Sequence, residues 1–212
     1  MPILKIFNMN IIEELTEIFR KFPGVGPRQA ERFVYYLLKQ KNSYLDKLSR
    51  LIPELNQKVK NCQSCKRFYI SENQNQNICN ICSDKNRNFE ILMIVARDVD
   101  LISIEKSNTF NGYYFVLGGL VPVLDKEPQN KIRLFELSNE IKNKKDFLKE
   151  IIIALSANPE GDNTAEIIKK ELKEMLKDYS IKISILGRGL STGTELEYSD
   201  KETIKNALKN RF

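Results

Sequence analysis

The stretch ILMIVARDVD, residues 91 to 100, decides the fold. Its first six residues are apolar and rich in branched side chains, and a charged segment then ends the run. A run this short, with no polar residue alternating in it, fits a strand buried on both faces. Further short apolar runs follow downstream as YYFVL (113–117), EIIIAL (150–155) and IKISIL (181–186), the last with Lys182 and Ser184 interleaved. Between the last two, TAEIIKKELKEML sets Ile167, Ile168, Leu172, Met175 and Leu176 on one side of a helix. Short strands alternating with helices predict a mostly parallel sheet with helices on its faces, an α/β fold.

Upstream the pattern changes twice. Residues 61 to 82, NCQSCKRFYISENQNQNICNIC, hold all four cysteines and little that can form a core. Before them lie three apolar stripes at helical spacing. The first is Ile11, Ile12, Leu15, Ile18 and Phe19, with Asn10 placed as its cap. The second is Ala30, Phe33, Val34, Leu37 and Leu38, and the third runs through Leu45, Leu48, Leu51, Ile52, Leu55 and Val59. The first 60 residues are therefore read as three helices, and the whole chain as a multi-part α+β protein with an α/β domain.

With 212 residues, 42% of them apolar, the chain can bury one large core or two small ones. No apolar run approaches the ~18 residues of a membrane span, and no charged leader precedes an apolar stretch. The expected location is the cytoplasm, where closely spaced cysteine pairs more often bind metal than form disulfides. Net charge is +6, and it is uneven: residues 1–90 carry 15 Lys/Arg against 9 Asp/Glu, whereas residues 91–212 carry 19 of each. Four thiolates around a divalent ion lower the amino-terminal excess by two and leave a surface that favours a polyanion. A basic face without a partner is the plainer reading of charge alone.

In FPGVGPRQAERF, Gly24 and Gly26 flank one apolar residue, and a basic helix starts near Pro27. Glycines let the turn bring main-chain N–H groups close to an outside acceptor, and the positive end of the following helix points the same way. Arg28 and Arg32 are four apart, hence on one face, where they can straddle adjacent phosphates. The element resembles the helix-hairpin-helix motif, a sequence-independent binder of DNA backbone. The competing reading is a structural turn between two core helices.

Cys62 and Cys65 are separated by two residues, as are Cys79 and Cys82, with thirteen residues between the pairs. Two such knuckles complete the tetrahedron of a closed structural zinc site. Four thiolates leave no position for a reactive water, so the metal fastens a segment too polar to fold alone. A redox dithiol and an iron–sulfur cluster are the alternatives that spacing leaves open. Lys66 and Arg67, beside the second cysteine, are read as solvated charges with nucleic-acid contact as the sharper alternative.

A helix-hairpin-helix, a four-cysteine module and an alternating domain carrying NPEGDNTA follow one another in that order, and RGLSTGTELEYSD (188–200) follows them. Together they resemble the RecR family of bacterial recombination mediators, over nearly the whole chain, with Ser191 where that family usually has proline. The resemblance implies four parts: a helix-hairpin-helix region at 1–60, a four-cysteine zinc finger at 61–84, a Toprim domain at 88–186, and a closing oligomerisation segment with a degenerate acidic motif at 187–212. In the Toprim fold, a glutamate after the first strand and an acidic pair after a later strand hold Mg²⁺. Glu160 and Asp162 match the pair and Asp100 matches an acidic position on the first helix. The glutamate, however, aligns with Ala96, which Arg97 follows. A methyl group exchanges no proton, so any Mg²⁺ here is expected to be weak and chemistry absent. Glu160 and Asp162 are otherwise read as solvated charges ahead of a helix beginning near Thr164.

Arg188 ends the last strand, where ligands gather in open α/β sheets. Glu195 and Glu197 are read as alternating on a surface strand. The resemblance further implies a non-enzymatic protein whose chains form a ring-shaped tetramer around duplex or gapped DNA. It implies work with RecO, and in some lineages RecF, to load RecA. The enzyme alternative is a Mg²⁺-dependent nuclease, primase or topoisomerase-like activity. An interaction module using the zinc element only for protein is the third.

Overall fold

The computed structural model describes residues 10–71, 76–125, 127, 130–187, 189–190, 193 and 195–209. The chain divides into two units, Met1–Lys58 and Val59–Phe212. In the first, Asn10 caps α1 (Ile11–Arg20): its side chain accepts from the N–H groups of Ile12 and Glu13, and Glu13 returns a bond to the Asn10 N–H. α2 (Pro27–Leu38) lies against α1, with Phe33 edge-on to Phe19 at 5.7 Å. α3 (Asn42–Lys58) follows, and Tyr44 meets Tyr36 of α2 edge-on at 6.3 Å. Among the described residues of this unit, Ala30 and Val34 are buried, while Leu51, Ile52 and Leu55 of the third apolar stripe are exposed.

The second unit begins with an antiparallel ribbon, β1 (Val59–Asn61) and β2 (Phe68–Ile70), followed by the short helix α4 (Asn80–Ser83). Then come β3 (Asn88–Val95), α5 (Asp98–Ser107), β4 (Gly112–Val116), α6 (Leu134–Lys144), β5 (Glu150–Ala154), α7 (Pro159–Met175) and β6 (Lys182–Ile185). The four long strands form one parallel sheet in the order β4-β3-β5-β6. The four apolar runs are thus its strands, and the α/β expectation holds. A 3₁₀ turn at Leu196–Tyr198 and α8 (Lys201–Lys209) close the chain. Glu195 and Glu197 therefore flank or occupy a turn of helix, not a strand as expected. Among the described residues no helix is long and apolar enough to cross a membrane.

Parity along the strands sorts the core into two halves, because successive strand residues point to opposite faces. Leu92, Ile94, Phe115, Leu117, Ile151 and Ile153 join Leu137 and Ile141 of α6 and Ala165, Ile168 and Leu172 of α7. Their strand neighbours Met93, Val95, Tyr114, Val116 and Ala154 face the other way and meet Leu101 of α5. With them are buried Cys62, Cys65, Tyr69, Cys79 and Ile81. The cysteine module therefore takes the place that a second helix takes on the opposite face.

Candidate nucleic-acid interface and metal centre

The glycine corner ends α1 and starts α2. Gly24 has φ +77°, a left-handed conformation that side chains resist, so this position requires glycine. Gly26 does not share that need: at φ −81° and ψ 171° it adopts an extended conformation open to any residue. The expected backbone freedom is thus confined to the first glycine. A Cβ built at either position meets nothing within 4 Å, so the corner lies open on its outer side. Pro27 occupies the first position of α2 and carries no N–H, Gly26 supplies no side-chain cap, and its carbonyl accepts from the Gln29 and Ala30 N–H groups at 3.1 and 3.0 Å, so the Arg28 N–H is the first-turn donor without a backbone acceptor among the described residues. Ala30 and Val34 bury the opposite side of the helix, while Arg28 and Arg32 are exposed one turn apart. Neither arginine takes a carboxylate among the described residues.

The four thiols converge. Cys62, Cys65, Cys79 and Cys82 place their sulfurs within 4.8 Å of one another, with Cys65 and Cys79 3.6 Å apart. Zinc–sulfur bonds of ~2.3 Å in a tetrahedron require sulfur pairs about 3.8 Å apart, so the donor set fits one such ion. Three of the cysteines are fully buried and Cys82 is partly exposed. Hydrogen bonds from Cys65, then Cys79 and Cys82, draw the Cys62 thiol down, and the same crowding pushes Cys65 and Cys82 up. Several thiolates in so small a space need a positive charge between them.

Hydrogen bonds fix the module to the sheet. The Val116 N–H of β4 donates to the Cys65 carbonyl at 2.8 Å. The Arg133 guanidinium donates to the carbonyls of Val116 at 3.0 Å and Lys66 at 3.2 Å. Asp98 accepts from the Phe68 N–H at 2.7 Å, so its carboxylate serves the ribbon. Arg87, which follows the module, forms a two-pronged ion pair with Glu105 of α5, and the buried Tyr114 hydroxyl donates to Glu105 at 2.7 Å. Burial first, and that bond second, raise the Tyr114 phenol well above its usual range. Sequence reasoning missed Arg133, Arg87 and Glu105, since no periodicity marks a polar residue that ties two elements together.

The Toprim-type positions lie elsewhere on the same sheet. Ala96 directly follows β3, with 2% of its surface exposed, in the place where the resemblance expects glutamate. Asp100 lies in the first turn of α5 and accepts from the Arg97 N–H at 2.9 Å, a capping role. Glu160 and Asp162 are exposed, but they do not precede their helix as expected: α7 begins at Pro159, with Asn158 as its cap, and both carboxylates occupy its first turn. Asn158 accepts from the Gly161 N–H at 2.8 Å. A Cβ at Gly161 sits 1.9 Å from the Ser156 carbonyl oxygen, so the strand-to-helix turn excludes any larger residue. Asn-Pro was the legible sign of this start. Among the described residues, Asp100, Glu160 and Asp162 do not come together as a three-carboxylate group, and the cysteines are the cluster that does converge. Arg188 lies outside the described residues.

A parallel α/β sheet carrying a four-thiol module, in a chain that begins with a glycine-cornered helix pair, defines a Toprim-containing protein of several parts. The Toprim domain family matches residues 90–187. The families described as RecR, helix-hairpin-helix and RecR, C-terminal match residues 12–55 and 189–211. Over 205 residues the chain is 39% identical to recombination protein RecR of Phytoplasma mali (strain AT), covering 96% of this chain and 95% of that one. It is 35% identical over 203 residues to recombination protein RecR of Legionella pneumophila (strain Corby), covering 96% and 98%. With the protein of that name from Brachyspira hyodysenteriae (strain ATCC 49526 / WA1), identity is 33% over 204 residues, covering 96% and 97%. The chain belongs to the RecR family.

Proposed function

We propose that this chain is a DNA-binding recombination mediator without catalytic activity, gripping duplex backbone through the glycine corner. The observation that carries the reading is the open corner at Gly24 and Gly26, next to two exposed arginines that have no carboxylate partner among the described residues. Main-chain N–H groups and paired guanidinium groups suit phosphate and carry no base information, so binding is nonspecific in sequence. The four cysteines hold one structural zinc ion. Family membership supports a ring-shaped tetramer, in which several copies of Arg28 and Arg32 act on one duplex and weak attractions add as avidity. It also supports partnership with RecO, with or without RecF, in loading RecA at gaps in the cytoplasm. The four-part division at 1–60, 61–84, 88–186 and 187–212 belongs to the same proposal. A buried Ala96 and an Asp100 carboxylate engaged in capping α5 support a Toprim domain that does no chemistry and binds Mg²⁺ weakly at most.

The test is the double substitution Arg28→Glu with Arg32→Glu. Duplex affinity is expected to fall to the limit of detection while the melting temperature stays near that of the parent. Unchanged affinity at low salt removes the reading. Solution mass with and without duplex checks the ring, and a Mg²⁺-dependent nicking assay checks the absence of chemistry.

A further inference from the structure

Within the second unit, the outer side of the thiol module carries a feature that the duplex reading leaves unused. Strand β2 alternates: Tyr69 points inward and is 7% exposed, whereas Phe68 and Ile70 point outward at 56% and 72%. They border a groove of about 490 Å³, lined further by Arg67, Gln76, Asn80 and Ser83. Among the described residues that line it, none is a carboxylate. The Arg67 Nε–H donates to the Phe68 carbonyl, and among the described residues no acid pairs with its guanidinium. Asp98, bonded to this strand, is occupied by the Phe68 N–H. A flat apolar ring, an unneutralised guanidinium, two amides and a hydroxyl thus share one concave face.

The face is also rigid. Lys66 holds φ +62°, a conformation rare for a residue with a side chain. Its carbonyl accepts from Asn61 at 2.9 Å and from Arg133 at 3.2 Å, and its N–H donates to the Cys62 carbonyl at 3.0 Å. The Cys65 carbonyl is held by Val116 at 2.8 Å. Arg67 and Phe68 are therefore presented from the knuckle itself, whose geometry the four thiols set. With the backbone beneath it held, Phe68 has only its own side-chain freedom to lose when something stacks on its ring.

We propose that this face of the thiol module, built on Arg67 and Phe68, is a contact for single-stranded DNA. Unpaired bases offer a π-face to Phe68, backbone phosphate pairs with Arg67, and the amides of Gln76 and Asn80 meet base edges. Duplex DNA keeps its bases stacked and offers Phe68 nothing, so the face distinguishes the two forms. The inference extends the proposed DNA reading to a second site and a second form of the polymer, and it depends on no residue of the glycine corner.

The experiment titrates the full-length, zinc-loaded chain into a fluorescent oligothymidylate and, separately, into a duplex of mixed sequence. Phe68→Ala is expected to weaken the single strand roughly tenfold and leave the duplex unchanged. Arg67→Ala is expected to lower the log–log salt slope for the single strand by about 0.7. Phe68→Trp should restore binding, which a merely structural role for the ring does not predict. Zinc content and melting temperature confirm that each variant is folded. Wild-type affinity for the single strand in both alanine variants overturns the assignment and leaves the face to a protein partner; equal loss on strand and duplex overturns it too. The Arg28→Glu, Arg32→Glu chain separates this from the duplex reading. If that chain loses duplex while Phe68→Ala changes nothing, the inference alone fails. If it keeps duplex while Phe68→Ala weakens the single strand, the corner reading alone fails.

Discussion

The two faces of the parallel sheet are covered by different chemistry. One is aliphatic, with α6 and α7 pressing Leu137, Ile141, Ile168 and Leu172 onto Leu92, Ile94, Ile151 and Ile153. The other has α5 beside a module whose interior is three buried thiols, one tyrosine and one isoleucine. Burial of aliphatic surface is enough for the first face at ~25 cal/mol per Å². It is not enough for the second, where four sulfurs crowd together and polar ties carry the attachment. The aliphatic face stands on its own residues, whereas the thiol face gathers four sulfurs placed to hold a metal ion.

The largest test of that difference is removal of the metal. Structural zinc contributes on the order of 10 kcal/mol to folding in small modules, comparable with the stability of a whole domain. Chelation, or Cys62→Ser with Cys65→Ser, is expected to release the ribbon. Hydrogen exchange should rise first through residues 59–83 and α5, and later in α7. A chelated protein that melts as before breaks the comparison. On the aliphatic face, Leu172→Ala removes a fully buried side chain. Its expected cost is about 2–5 kcal/mol by urea denaturation, with zinc content per chain unchanged.

Legibility in the sequence divided along the same line. The central strand runs were readable because a strand buried on both faces is nearly continuous in apolar residues, the edge run IKISIL was readable although Lys182 and Ser184 interrupt it, and α7 was readable from its stripe. The start of α7 was misplaced because Glu160 and Asp162 look like loop residues, although Asn158-Pro159 is a strong cap signal. The cysteine spacing foretold convergence of the thiols. It did not foretell that they fill a face of the sheet, since Tyr69 and Ile81 are isolated apolar residues in a polar segment. α6 was missed for a similar reason: Leu134, Leu137 and Ile141 are too few to stand out among charged neighbours. The glycine corner was found by composition, but dihedral angles separate Gly24, which needs glycine, from Gly26, which does not.

A smaller test addresses the polar ties alone. Tyr114 is 1% exposed on the thiol face, and its hydroxyl donates to a carboxylate already paired with Arg87. Tyr114→Phe keeps the ring and its edge contact with Phe110 but removes that donor. The expected loss is about 1–2 kcal/mol, with zinc retained. Were the loss to vanish, packing alone would hold β4 to α5, and the contrast between faces would reduce to the metal.

The smallest effect lies at the sheet's far edge, between β5 and β6, and serves as a control belonging to neither covering layer. Glu150 accepts from the Ser184 hydroxyl at 2.7 Å and pairs with Lys182 at 3.1 Å. The hydroxyl first, and Lys182 next, hold its carboxyl below its ordinary value of 4.5. A folded-state value below the unfolded one means that the ionised group stabilises the fold above pH ~4.5, and that this contribution disappears as pH falls through the folded-state value. Glu150→Gln should therefore be less stable than the parent at neutral pH, by under about 1 kcal/mol for so accessible a group. The difference should close on acidification below pH ~4.5. Loss of the metal follows a separate course, because protons compete for the thiolates whether or not Glu150 is present. Unfolding curves of parent and variant across that range, with zinc release followed in the same samples, separate the two acid effects. A gap that persists at low pH assigns the effect of Glu150 to packing and not to its charge.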